Sequence, residues 1–265
     1  MDDLIFLKLG GSLLTDKTIV EALRVDVLTR LAREIAAARI ENPELRLVLG
    51  HGSGSFGHVA GAKHGTRSGV AGAAQWFGFA EVSDAAARLD RHVIAALLAE
   101  GVPAIGLPPS ASATVVDGRI TNLSTTPIGA ALEAKLVPVV FGDVAFDTIR
   151  GGTIVSTEEV MDYLTAALQP RWLLLAGETP GVLDLQGNVI PSLNRINLPD
   201  YLPALGGSRG TDVTGGMVAK VTAMIELASS LPGLSIRIFS GLEPGQLSRL
   251  LAQPATPIGT LIRDI

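Results

Sequence analysis

The stretch "GHGSGSFGH" (50–58) decides how this chain folds, because its glycines admit two incompatible readings. Gly52, Gly54 and Gly57 spell G-x-G-x-x-G, the fingerprint of a dinucleotide-binding βαβ unit. That unit needs a strand before the glycines, a helix opening on them, and a second strand ending in an acid ~20 residues on. "LRLVLG" (45–50) supplies the first strand. After Gly57, however, "HVAGAKHGTRSGVAGAAQ" (58–75) is rich in glycine and leads to no strand ending in an acid; Glu81 and Asp84 fall inside a long helical pattern. The nicotinamide reading fails on its context.

The glycines still need a cause. Backbone N–H groups approach a phosphate closely only where no Cβ intervenes, and such loops at strand ends cradle anions. Three loops have this character, at 8–12, 50–58 and 211–220, and two of them carry a lysine. Any one alone reads as an ordinary tight turn. Three together in an open α/β protein favour a site that handles several phosphates. The Walker pattern G-x-x-x-x-G-K-[ST] is absent, so the site is not a P-loop.

Outward from this loop, apolar strands alternate with amphipathic helices. "LIFLKLGG" (4–11), "VPAIGLPPS" (102–110), "RWLLLAG" (171–177), "LSIRIFSG" (234–241) and "GTLIRDI" (259–265) read as strands, most running into glycine or proline, and "VPVVFGDVAFD" (137–147) reads as a strand followed by a loop. "VDVLTRLAREIAAARI" (25–40), a long segment from Phe77 closed by Gly101, "PIGAALEAKL" (127–136) and "DVTGGMVAKVTAMIELASSL" (212–231) read as helices. The alternation predicts an α/β fold with a mainly parallel central sheet and helices on both faces. No linker composition or repeat interrupts the 265 residues, so one unit is expected, with two lobes meeting near residue 165.

Composition narrows the function. Apolar residues make up 47% and charged residues 18%, which describes a well-packed globular chain. No apolar run approaches a membrane span, and the acidic start "MDD" is unlike a secretory signal, so a cytoplasmic protein is the simplest expectation. The net charge of −5 with scattered cations argues against a nucleic-acid surface. With no cysteine and no H-E-x-x-H spacing, neither a disulfide framework nor a protein-built metal site is expected. Of the four histidines, His51 reads as structural, with a position facing phosphate as the lesser alternative, and His64 and His92 as surface or helix residues. Asp143 fits either an orienting role toward a lysine or metal-bound water, or a turn-stabilising one.

At "KLGGSLLTDK" (8–17), "GHGSGSFGH" (50–58), "FGDVAFD" (141–147), "DVTGGMVAK" (212–220) and "GTLI" (259–262), the chain resembles the amino-acid-kinase family, and within it the isopentenyl phosphate kinase branch. The resemblance covers nearly the whole length. Its G-S-F-G-H histidine looks like the one that separates phosphate-accepting members from those that phosphorylate carboxylates. It implies a three-layer sandwich, ATP and Mg²⁺ as co-reactants, assembly as a homodimer, and transfer of a phosphoryl group to isopentenyl phosphate for isoprenoid synthesis. It implies an acceptor-binding lobe over 1–165 and a nucleotide-binding lobe over 166–265.

By the same resemblance Lys8 bridges the transferring group, with Gly10, Gly11 and Ser12 as backbone support, and Lys17 is a second lysine near the phosphates. Gly52, Ser53 and Gly54 contact acceptor and donor phosphates, and His58 binds the acceptor. Gly216 and Lys220 belong to the nucleotide side. In "STEE" (156–159), where the family often shows S-G-D-D, Thr157 falls at an acceptor contact. In "GETPGVL" (177–183), where it often shows D-V-D-G-V-Y, Gly181 falls on the nucleotide side.

Chemistry agrees with a histidine at position 58. A phosphate monoester is already an anion near neutral pH, its second pKa being about 6, so no general base is required and a donor that can be positive suits the acceptor. Specificity belongs to apolar groups. Trp76, Phe77, Phe79 and Val82 follow soon after the acceptor loop, and are either core or the wall of a five-carbon pocket. Two rival readings share the fold: a kinase for another small phosphate or phosphonate such as fosfomycin, and a non-catalytic oxyanion or nucleotide binder. The apolar cluster speaks against the first and the lysines against the second.

Overall fold

The computed structural model describes residues 4–205 and 216–264. Its first strand, β1 (Leu4–Leu9), shows how the sheet is built. Leu4 and Phe6 enter one apolar core, while Ile5, Leu7 and Leu9 enter another on the opposite face. A strand alternates sides at every residue, so five apolar positions in six fill two cores only if both faces of the sheet are covered. Lys8 is the one polar residue of the strand, and it stands next to its C-terminal end.

In chain order, α1 (Gly11–Leu14) follows β1, then a hairpin of β2 (Thr15–Asp16) and β3 (Ala22–Leu23), α2 (Val25–Glu41) and β4 (Arg46–His51). Next come α3 (Gly54–His64), the long α4 (Gly72–Ala99), β5 (Ala104–Gly106), β6 (Thr114–Val116), β7 (Arg119–Asn122), α5 (Thr126–Glu133) and β8 (Val137–Phe141). The chain continues with β9 (Asp143–Asp147), β10 (Gly151–Val155), α6 (Thr157–Leu168), β11 (Trp172–Gly177), β12 (Ser192–Leu193) and α7 (Leu198–Leu205). It ends with α8 (Gly216–Ser230), β13 (Ser235–Ser240), α9 (Gln246–Ala252) and β14 (Thr260–Arg263).

Among the described residues, eight strands form the main sheet in the order β12-β14-β13-β11-β1-β4-β8-β5. All its pairings are parallel except β13 with β14. β1 lies between β4 and β11, where the strand order reverses, and ligands of open α/β sheets bind beyond the carboxyl ends of strands at such a switch point. α2, α4 and α9 cover one face through Leu31, Ile35, Val93 and Leu250; α5, α6 and α8 cover the other through Ile128, Leu164 and Ile225. The expected mainly parallel sheet with helices on both faces is observed. No helix of the described residues is long and apolar enough to cross a membrane.

Two local expectations change. The glycine-rich segment after Gly57 is a helix, α3, so the G-x-G-x-x-G does open a helix directly after a strand. The dinucleotide unit still fails, because α4 follows instead of a second parallel strand. The long helix begins at Gly72, not Phe77, and ends in a Schellman turn: Gly101 (φ 78°) donates to Leu98 O and Val102 to Leu97 O. The second change is a four-stranded sheet, β10-β9-β6-β7, in which β9 replaces the loop expected after Phe141. Its β6–β7 turn has Asp117 and Gly118 at φ 49° and 78°, and both N–H groups donate to the Asp147 carboxylate.

Candidate active site

Two glycine loops meet at the switch point. Gly10 N donates to Ala176 O (2.8 Å) and Gly52 N to Leu9 O (2.9 Å), each extending a ladder of the sheet by one residue. A Cβ on Gly11 would lie 2.5 Å from Gly54 N, and one on Gly52 would lie 2.6 Å from Gly11 N. No side chain fits between the loops. Gly54 has φ 51°, and a Cβ there would strike Thr15 Oγ1, which accepts from Ser55 N at 2.9 Å. The N–H groups of Gly11 and Ser12 open α1, and those of Ser53 and Gly54 open α3. None of the four donates to a protein acceptor among the described residues. Four backbone donors at two adjoining helix starts form a cradle for phosphate oxygens.

Charge is arranged beside it. Lys8, mostly buried, donates to Glu158 Oε1 at the start of α6. Burial works to raise the Glu158 carboxyl, but the Lys8 charge, the hydrogen bond it donates and the charge of Lys220 outweigh it and hold the group below its ordinary value. Lys220 stands on the second turn of α8, so Glu158 is the group on which lysines from the two ends of the chain converge. α6 begins at a capping box: Ser156 Oγ accepts from Glu159 N, and the Glu159 carboxylate accepts from Ser156 N. That carboxylate also binds Arg67 through two nitrogens, at 2.8 and 2.6 Å. Asp162, one turn beyond Glu158, is pushed up to about 6 by burial and then by the Glu158 charge.

The expected site residues do not all gather here. Lys17 is exposed at the tip of the β2–β3 hairpin and makes no ion pair among the described residues. His58 is exposed on the second turn of α3. Thr157 is buried, and its hydroxyl is committed to the His51 carbonyl (2.7 Å). Gly181 is also buried; a Cβ there would come within 2.7 Å of Thr260 Oγ1, which accepts from Val182 N. Gly216 (φ 70°) opens α8, while residues 211–215 of the third glycine loop lie outside the described residues. Asp143 is buried and accepts from Val144 N (2.7 Å); burial pushes its carboxyl up, against hydrogen bonds from Ser110 and Ser83. These contacts fit the turn-stabilising alternative. His64 sits beside Glu81, and His92 is exposed on α4 with its ring edge-on to Phe56.

The apolar candidates divide. Phe79 and Val82 pack with Val70 and Val144 in a small cluster that also touches Ala60 of α3 and Ile154 of β10. Ala60 is two residues past His58, so this cluster adjoins the helix that carries it. Trp76 and Phe146 extend the cluster by aromatic contacts (5.2 and 5.3 Å from Phe79), whereas Phe77 is 68% exposed. A separate apolar cavity of about 210 Å³ lies between Leu107, Leu123, Ile128, Val140 and Val160. Sequence reasoning gave no role to Glu158 or to the Arg67–Glu159 clamp. The signal was "STEE" itself, two carboxylates in the first turn of a helix.

Residues 3–240 match the model of the Amino acid kinase family. The chain is 35% identical over 258 residues to the isopentenyl phosphate kinase of Methanothermobacter thermautotrophicus, covering 94% of this chain and 95% of that one. It is 38% identical over 252 residues to the isopentenyl phosphate kinase of Haloferax volcanii, covering 93% and 98%. A solved isopentenyl phosphate kinase superposes with a TM-score of 0.81 at 30% identity, covering 98% of this chain and all of that one. With the paired glycine loops, the lysine at the end of β1 and the family match running through both, the chain belongs to the amino acid kinase family.

Proposed function

We propose that the protein transfers the terminal phosphoryl group of ATP to isopentenyl phosphate, giving isopentenyl diphosphate. The observation that carries this is the cradle: four backbone N–H groups without acceptors among the described residues, on two glycine loops pressed together, beside a lysine held at the strand end. Relatives with 35% and 38% identity over nearly the whole chain carry the same activity in their names.

In this reading the acceptor phosphate oxygen attacks the terminal phosphorus of ATP as the bond to the ADP oxygen breaks. The acceptor enters as an anion, so this chain's residues position and neutralise instead of removing a proton. Ser53 and Gly54 N–H groups hold the acceptor, His58 donates to it from α3, and Gly11 and Ser12 N–H groups hold the donor's phosphates. Lys8 follows the moving group, and Glu158 keeps its ammonium and that of Lys220 directed at one place. Lys17 would join from its exposed hairpin. Gly181 and Gly216 would line the nucleotide side and Thr157 would support the acceptor side through His51. The donor set, lysines and amides, suits phosphate oxygens; Mg²⁺ would be held by those oxygens and supplies further charge neutralisation. The tail of the acceptor would lie against Phe79 and Val82, with Phe77 at the rim. A cytoplasmic homodimer acting in isoprenoid synthesis, with acceptor and nucleotide lobes dividing near residue 165, completes the proposal.

The test is an acceptor panel with ATP and Mg²⁺, read by ³¹P NMR. Isopentenyl phosphate should give a diphosphate doublet, with N-acetylglutamate and fosfomycin left unchanged. Turnover of either of those in place of isopentenyl phosphate would overturn the assignment.

A further inference from the structure

The mechanism above uses only the backbone carbonyl of His51 and leaves its ring without a role. His51 is the last residue of β4, its ring is fully buried, and it stacks on Phe141 at 5.3 Å and 14°. Both ring nitrogens face oxygen. Nε2 lies 3.3 Å from Asp90 Oδ1, and Nδ1 lies 3.2 Å from the carbonyl of Gly52. Asp90 comes from the middle of α4 and is itself nearly buried. Its other oxygen packs on Gly106, where a Cβ would come within 2.6 Å.

These contacts converge on one peptide. Gly52 N is fixed by Leu9 O, Gly52 O faces His51 Nδ1, and the His51 carbonyl accepts from Thr157. A peptide unit is planar, so the direction of the Gly52 carbonyl fixes the direction of the Ser53 N–H on the same plane. Ser53 N–H is one of the four cradle donors. A glycine peptide without this restraint turns over easily, because glycine reaches positive φ at little cost.

We propose that His51 is a positioning residue for phosphate binding. Anchored by Asp90 and packed on Phe141, its Nδ1 holds the Gly52 carbonyl inward, so that the Ser53 N–H faces the acceptor. This rests on the acceptor reading of the loop at 52–54. It also explains why α4, which carries Phe79 and Val82, is tied to the phosphate loop: one ring joins the part that binds the phosphate to the part that meets the tail.

The experiment compares three substitutions by steady-state kinetics, with acceptor and ATP varied in turn. His51→Phe keeps the stack and removes both polar contacts. His51→Asn places an amide N–H near the position of Nδ1, and His51→Gln places one near Nε2. Loss of the Gly52 contact should raise KM for isopentenyl phosphate by about tenfold in the Phe variant, with KM for ATP changing much less. Asn should recover most of that loss and Gln little of it. A purely structural ring would give the reverse order, with Gln the better rescue, or would move both KM values together as thermal stability falls; either result overturns the proposal. If the Phe variant does not fold, the Asn-to-Gln order decides, and Asp90→Asn, which keeps the imidazole and its packing, should raise the acceptor KM alone. A wild-type protein that does not turn over isopentenyl phosphate would instead sink the functional reading, and that result is distinct from any variant pattern.

Discussion

At the scale of single residues, the proposed reaction gives the polar groups around the cradle separable duties. His58 is exposed on α3, so its removal should leave the fold intact. His58→Ala is expected to cost about a hundredfold in kcat/KM for the acceptor, the usual loss for one charged donor in a transition state, while ATP binding persists. Glutamine there keeps a donor and should recover part of the loss; near-normal activity of the alanine variant would remove His58 from the site. Glu158 acts through Lys8. Glu158→Gln keeps the shape but releases the ammonium from its counter-charge, so kcat should fall by about tenfold with a smaller change in KM for ATP. The expectation for His58 comes from a local motif. Glu158 carries no such signal, because its place depends on a partner 150 residues away.

At the scale of elements, the loops and caps have costs that can be measured. Gly54 needs both a positive φ and the absence of a Cβ against Thr15. Gly54→Ala should therefore lose about 1–3 kcal/mol of stability and weaken acceptor binding as well, since α3 can no longer start where it does. Chemical unfolding alongside acceptor titration checks both. Ser156→Ala removes half the capping box of α6 and should cost about 1 kcal/mol. The cluster between α3, α4 and β10 bears on chain length. If Phe79 walls the tail pocket, Phe79→Ala should raise kcat/KM for geranyl phosphate relative to isopentenyl phosphate; a stability loss with an unchanged ratio makes Phe79 core, and points to the cavity at Ile128. The "DG" at 117–118 was a readable hairpin signal, since both residues sit at positive φ. The short strands it joins carry too few residues to show an alternation.

At the scale of the whole molecule, carboxyls shifted in opposite directions shape stability against pH. Glu158 and Glu159 are held below their ordinary values, so each contributes stability above the usual carboxylate range, and that contribution is lost as pH falls through the folded value. Asp162 runs the other way. Pushed up to about 6, it holds its proton more tightly folded than unfolded, so its ionisation weakens the fold as pH rises from about 4 to about 6. Asp162→Asn should thus gain stability relative to wild type at about pH 7.5 and roughly half as much at about pH 5, as read by urea unfolding at the two values. An equal difference at both would mean that Asp162 ionises as an ordinary surface carboxyl.

The sequence by itself determined the layers and the loops. The near-continuous apolar run of β1 demands two covered faces, and glycines at strand ends demand close backbone approach; both are properties of neighbours along the chain. The tertiary structure alone decided which groups share the site. Strand order places β1 between β4 and β11, which brings Gly11 against Gly54, Lys8 against Glu158, and His51 against Asp90. Those pairs are set by sheet topology and helix packing, long-range contacts that no periodicity records. The same packing left Lys17 on an exposed hairpin and turned the Thr157 hydroxyl inward to the His51 carbonyl, because a buried hydroxyl must find an acceptor wherever the fold provides one.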